Sequence, residues 1–125
     1  MPARIIVVHN DGTFLDALVT ALRTDAYGVA GFDNSMNAWE ALRSASMRDI
    51  LVTRIQFGAG QPHGIALARW ARSIAPGVRV LFVARPEFEG DAEGLGVFVP
   101  RPVEVLKVVE IVARLAVGDP VHWPV

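Results

Sequence analysis

Few side chains in this sequence stand where chemistry could be done, and they gather at the ends of apolar runs. His9, Asn10 and Asp11 follow the first run, Arg54 the third, Val83 and Ala84 close the fourth, and Arg101 follows the fifth. A single imidazole with no cysteine in the chain and no second histidine close by is expected to be a hydrogen-bonded structural group, not a metal ligand. Arg54 either bends out to solvent or is buried beside Arg101, and burial would demand a carboxylate or an anion as partner. Asp11 is the nearest carboxylate in sequence able to pair with Arg54, and it is equally placed to cap the helix that follows. The two roles are compatible. If Arg54, Arg101 and His9 converge instead, they form a cationic pocket suited to an anion or small ligand. His63, His122 and Arg85 lie in loops or the tail and read as surface residues.

The elements that must position these groups are legible from apolar spacing. Arg4-Ile-Ile-Val-Val8 is short, β-branched and without alternation, as a strand covered on both faces reads. From Thr13, the residues Phe14, Leu15, Leu18, Val19 and Leu22 recur at helical spacing until Tyr27-Gly28. Val29 to Phe32 is a second strand, and Asp33-Asn34-Ser35 caps a helix carrying Met36, Trp39 and Leu42. Asp49 to Arg54 is a third strand, with a glycine-rich loop and a helix from Ile65 to Ile74 behind it. Val78 to Val83 is the fourth strand, and Pro86, Gly90, Gly94 and Gly96 leave room for about two helical turns at most before strand five, Val97 to Val99. A helix from Val103 to Val117 precedes a short tail, so we expect one domain over 1–117 with a tail at 118–125. Strands alternating with helices across short loops predict an α/β fold with a doubly wound five-stranded parallel sheet, whose ligands gather beyond the carboxyl ends of the strands.

Composition narrows the function. Twelve Lys and Arg against thirteen Asp and Glu give a net charge of −1, without the positive excess that a nucleic-acid or acidic-membrane partner would call for. No cysteine means no disulfide, thiolate nucleophile or Cys-based metal site, and cytoplasm is the expected location. No apolar stretch approaches the roughly 18 residues that span a bilayer. Gly58-Ala-Gly60 lacks the lysine and spacing of a phosphate-binding loop, and no Gly-x-Ser-x-Gly elbow occurs, so we expect neither cofactor nor enzymatic activity.

Several segments at once resemble the receiver domain of bacterial two-component response regulators. Arg4-Ile-Ile-Val-Val-His-Asn-Asp11 looks like that family's opening strand and acidic pair, and Asp49-Ile-Leu-Val-Thr-Arg54 like its phosphoacceptor strand. Val80-Leu-Phe-Val-Ala84 looks like its switch strand, and Phe98-Val-Pro-Arg-Pro102 like its Lys-Pro turn. The resemblance runs from Arg4 to about Leu115 and implies a flavodoxin-like receiver fold, here with a shortened fourth helix. It places His9 and Asn10 on the magnesium-binding acids, Arg54 on the phosphoaccepting aspartate, Val83 on the switch hydroxyl and Arg101 on the lysine. The site then passes from three negative charges to one positive, with Asp11 the nearest balance, and no Mg²⁺ site is expected. A degenerate receiver acting by protein–protein interaction in a two-component or phosphorelay pathway is the leading reading. An anion sensor at Arg54 and Arg101 is the alternative, and modification at Asp11 or His63 a third.

The last helix adds a candidate interface. At roughly 100° per residue, Glu104, Lys107, Glu110 and Arg114 form a narrow polar stripe, and apolar residues cover roughly 200°. Covering one sheet face takes about half that arc. The excess, with the short fourth segment, predicts a protein partner or a homodimer through Val105, Val108, Val109 and Val112.

Overall fold

The β-branched run Arg4–Val8 forms β1, and Ile5 to Val8 are all essentially inaccessible, as expected of a strand covered on both faces. In this computed structural model, which describes residues 4–25, 27–119 and 121, the other strands are β2 (Gly28–Phe32), β3 (Ile50–Thr53), β4 (Arg79–Ala84) and β5 (Val97–Pro100). All neighbours pair parallel, in the order β2-β1-β3-β4-β5. The order reverses between β1 and β3, which opens a crevice beyond their carboxyl ends. His122 and the rest of 122–125 lie outside the described residues.

Strand alternation divides the core in two. Ile5, Val7, Ile50, Val52, Leu81, Val83 and Val99 face α1 (Gly12–Thr24) and α5 (Val105–Ala116). Ile6, Val8, Leu51, Val80, Phe82 and Phe98 face α2 (Ser35–Ala41) and α3 (Gly64–Ile74). On that second side Trp39 and Trp70 stack with ring centroids 4.9 Å apart and planes 3° from parallel. The Trp70 indole N–H donates to the Trp39 carbonyl at 3.0 Å, which joins α3 to α2. Glycine is required where α3 meets β3, because a Cβ on Gly64 would lie 2.0 Å from the Arg54 carbonyl oxygen. The fourth helical segment is as short as the glycines predict, a 3₁₀ turn at Pro86–Phe88 running into α4 (Glu89–Ala92).

Helix α5 corrects the interface expectation. Val108 and Val112 are fully buried with Ile111 and Leu115, at the i, i+3, i+4, i+7 spacing of a core stripe. Val105 and Val109 are partly buried against the same cluster. The arc is wide because α5 packs against two neighbours at once, the sheet and α1, with Val103 and Val121 closing the flank. On α5 itself Leu106 is the large apolar side chain left in water, 73% exposed.

Candidate functional site

The strand ladders continue one residue past β1, β3 and β5. His9 N–H donates to the Phe32 carbonyl at 3.0 Å, Arg54 N–H to Val8 at 3.2 Å and Arg101 N–H to Ala84 at 2.8 Å. The backbone therefore fixes all three at the carboxyl edge of the sheet. Their phase follows from the period of two: Ile5 and Val7, Ile50 and Val52, Val97 and Val99 face α1 and α5, and the next step on that face is His9, Arg54 and Arg101.

His9 is 1% exposed, with its ring 4.8 Å from that of Phe14 on α1. Its Nδ1 accepts the Asp11 backbone N–H at 3.1 Å, so the neutral ring carries its proton on Nε2, which is buried and has no acceptor among the described residues. Burial above all, then the charges of Arg101 and Arg54, hold the His9 pKa down at about 4 against an ordinary 6.5, while Asp11 opposes the shift. The imidazole is neutral at physiological pH.

Asp11 caps α1 as expected, Oδ1 accepting the Phe14 N–H at 3.2 Å. Its other oxygen does not take Arg54. It accepts from Arg101 at 2.9 Å, a pair whose side chains are 26% and 39% exposed. Arg101 reaches it because its guanidinium lies over the Phe14 ring, 5.2 Å from the centroid, which steers the head toward the start of α1. The Arg101 hydrogen bond, then the Phe14 N–H, keep the Asp11 carboxyl below its usual range.

Arg54 instead donates through Nη1 to the Asn10 side-chain oxygen, and its Nε is buried without an acceptor. Burial first, then the neighbouring charges of Arg101 and Arg85, weaken its hold on its proton, although a guanidinium stays charged at any physiological pH. Arg85, which the sequence assigns to the surface, is exposed and paired with Glu87 at 3.1 Å, yet it belongs to this electrostatic neighbourhood. His63 caps α3, its Nδ1 accepting the Ile65 N–H at 3.3 Å, and stands outside the cluster.

Val83 is fully buried in the core beside Leu81 and Val99, on the face of α1 and α5, and β4 runs one residue further than the sequence predicts, to Ala84, which is itself buried on the opposite face. Neither residue carries a hydroxyl. Sequence reasoning also missed Phe14 as the platform for Arg101; its signal was an aromatic three residues after the capping Asp11.

These residues do not fit a magnesium ion. The ion requires several free hard oxygen donors, whereas both Asp11 oxygens are engaged, the Asn10 oxygen is taken by Arg54, and the rest of the site is imidazole and guanidinium. Among the described residues no three His, Cys, Asp or Glu side chains are grouped to hold a metal. A separate cavity of about 710 Å³, lined by Arg72, Arg79, Glu93, Gly96, Phe98 and Leu115, opens at the amino ends of β4 and β5, the opposite end of the sheet. No described helix is long and apolar enough to cross a membrane.

No family model matches the chain. It is 34% identical over 80 residues to the response regulator receiver protein CpdR of Brucella abortus, a match that spans 64% of this chain and 64% of that protein's length. A response regulator receiver protein of Sinorhizobium medicae superposes with a TM-score of 0.79 at 23% identity, covering 94% of this chain and 96% of the other. A CheY-like receiver domain protein of Methanospirillum hungatei gives 0.78 at 17% identity over 93% and 94%. The receiver domain of the hybrid histidine kinase CckA gives 0.74 at 21% identity over 91% and 99%. The chain thus has the parallel five-stranded fold of response regulator receiver domains over almost its whole length and is similar in sequence, across 80 residues, to a response regulator receiver protein.

Proposed function

We propose that this receiver works without phosphorylation, as a protein-binding module in a two-component or phosphorelay pathway, with no catalytic activity of its own. One observation carries the reading: Arg54, the residue on the family's acceptor position, is tied to Asn10 and presents only donors. A guanidinium has no carboxylate oxygen with which to attack a phosphoryl group. Asp11, the nearest carboxylate, already serves the α1 cap and Arg101. The Asp11–Arg101 pair joins the start of α1 to the end of β5, so a charge bridge is present whatever the state of an upstream kinase. Val83 and Ala84 supply no switch hydroxyl to report phosphorylation.

The docking face we assign is formed by α5 and the short fourth segment: Leu106 is exposed, Val105 and Val109 are partly buried, and the acids Glu87, Glu89, Asp91 and Glu93 of the fourth segment are exposed. A signalling partner or a second copy of the chain would bind there. Intact-mass measurement after treatment with acetyl phosphate and Mg²⁺ tests the first claim. The expected spectrum is unchanged, and a stable adduct of one phosphoryl group per chain refutes phosphorylation independence.

A further inference from the structure

The structure assigns a small-oxyanion site to the carboxyl edge of the sheet, formed by Arg54, Arg101 and His9 and suited to a tetrahedral anion of the phosphate class. The site is held noncovalently, so it goes beyond the loss of phosphotransfer and stands or falls separately from it.

Two buried donors on this edge have no acceptor among the described residues. The Arg54 Nε–H is one, and the His9 Nε2–H, on a side chain 1% exposed, is the other. Buried donors are ordinarily satisfied, and two such donors beside a cationic cluster suit an anionic acceptor. Positioning is already provided. Arg54 is anchored by Asn10 and Arg101 by the adjacent Asp11, so consecutive residues of one turn hold both guanidiniums. Phe14 fixes Arg101 from below. Each anchor occupies part of a guanidinium fork, and each head has further N–H groups to give.

Charge points the same way. Arg54, Arg85 and Arg101 stand against Asp11 and Glu87, with His9 neutral, which leaves one uncompensated positive charge. The charges of Arg101 and Arg54 both bear on the His9 ring, and that of Arg101 on Arg54, which places the three within electrostatic reach. The donors arise from the ends of three different strands, β1, β3 and β5. A tetrahedral oxyanion offers oxygens in several directions, whereas a carboxylate offers two in one plane, so phosphate and sulfate are favoured over acetate.

The test is a titration of the folded, ¹⁵N-labelled chain with inorganic phosphate near neutral pH, at constant ionic strength set with chloride. Saturable amide shifts confined to residues 9–12, 54–56 and 101 are expected, with sulfate competing. Arg54→Gln should weaken binding by at least roughly tenfold, the loss of one charge-assisted contact. Asn10→Ala, which frees the Arg54 head without removing charge, should bind at least as tightly as the wild type and guards against an Arg54 variant that fails to fold. Phosphate shifts that never saturate, or that survive Arg54→Gln in a folded protein, overturn the proposal. Acetate binding as tightly as phosphate overturns the assigned class.

Discussion

His9 couples this fold to pH, and the coupling can be worked out. Buried against Phe14 beside Arg101 and Arg54, the imidazole has a pKa of about 4 in the folded chain against 6.5 when free. Between those values the unfolded chain binds a proton that the folded chain refuses. Stability is therefore full above 6.5, falls as the pH drops toward 4 and levels off below. The whole change is about 3 kcal/mol, of which about 2 kcal/mol is lost by pH 5. That is a large share of the roughly 5 to 15 kcal/mol that holds a domain together. Asp11 acts in a lower window: its carboxyl is held below the usual range by Arg101, so its contribution persists until the solution becomes acidic enough to protonate carboxylates. Urea melts from about pH 7.5 to about pH 4.5 on the wild type and on His9→Asn separate the two. Asparagine does not titrate and keeps an oxygen near the Asp11 N–H. The wild type should lose stability across the imidazole window and His9→Asn should stay flat there. Parallel curves for the two proteins would refute the reasoning.

Further outcomes follow from the contacts. In double-mutant cycles by denaturant melts, Asp11→Ala and Arg101→Ala should be non-additive, whereas Asp11→Ala and Arg54→Ala should add within error. Leu106→Glu should leave circular dichroism native while weakening any self-association seen by light scattering. Val108→Glu places an unpaired charge in the core and should cost more than about 4 kcal/mol, read as loss of a cooperative melt. Gly64→Ala forces the Arg54 carbonyl to move and should lower stability by about 1 to 3 kcal/mol, with amide shifts spreading to Arg54.

The strands were legible because buried parallel strands have a simple signature: Ile5 to Val8, Ile50 to Val52 and Val80 to Val83 are apolar without alternation. The same runs brought the edge residues to attention, since whatever follows a buried strand lands on the ligand-binding edge. Pairing among them was not legible. Asp11 was matched to Arg54 on charge and on nearness along the chain, yet its partner is Arg101, 90 positions away, delivered by the end of β5 and the Phe14 ring. The Arg54 partner is a neutral amide, which charge counting cannot find. Helix α5 failed for a related reason: an apolar arc reports how much of a helix is covered, and the cover here is the sheet and α1 together. The fourth strand ends at Ala84, one residue beyond the Val83 that the apolar run suggests, an ordinary shift of a boundary.

The stacked pair of Trp39 and Trp70 gives the molecule a built-in spectroscopic gauge. Two indoles this close couple their excited states, and a skew between their transition dipoles within the stacked planes gives an exciton couplet that overlaps the far-ultraviolet helix band and distorts any helix content read from it. The couplet depends on α2 staying seated on α3, through the indole hydrogen bond between them. It vanishes when that side opens, even with every helix intact. His9, Arg54 and Arg101 belong to the other face of the sheet, so events there leave the couplet in place. One optical signal therefore separates a change at the cationic edge from an opening of the α2–α3 side.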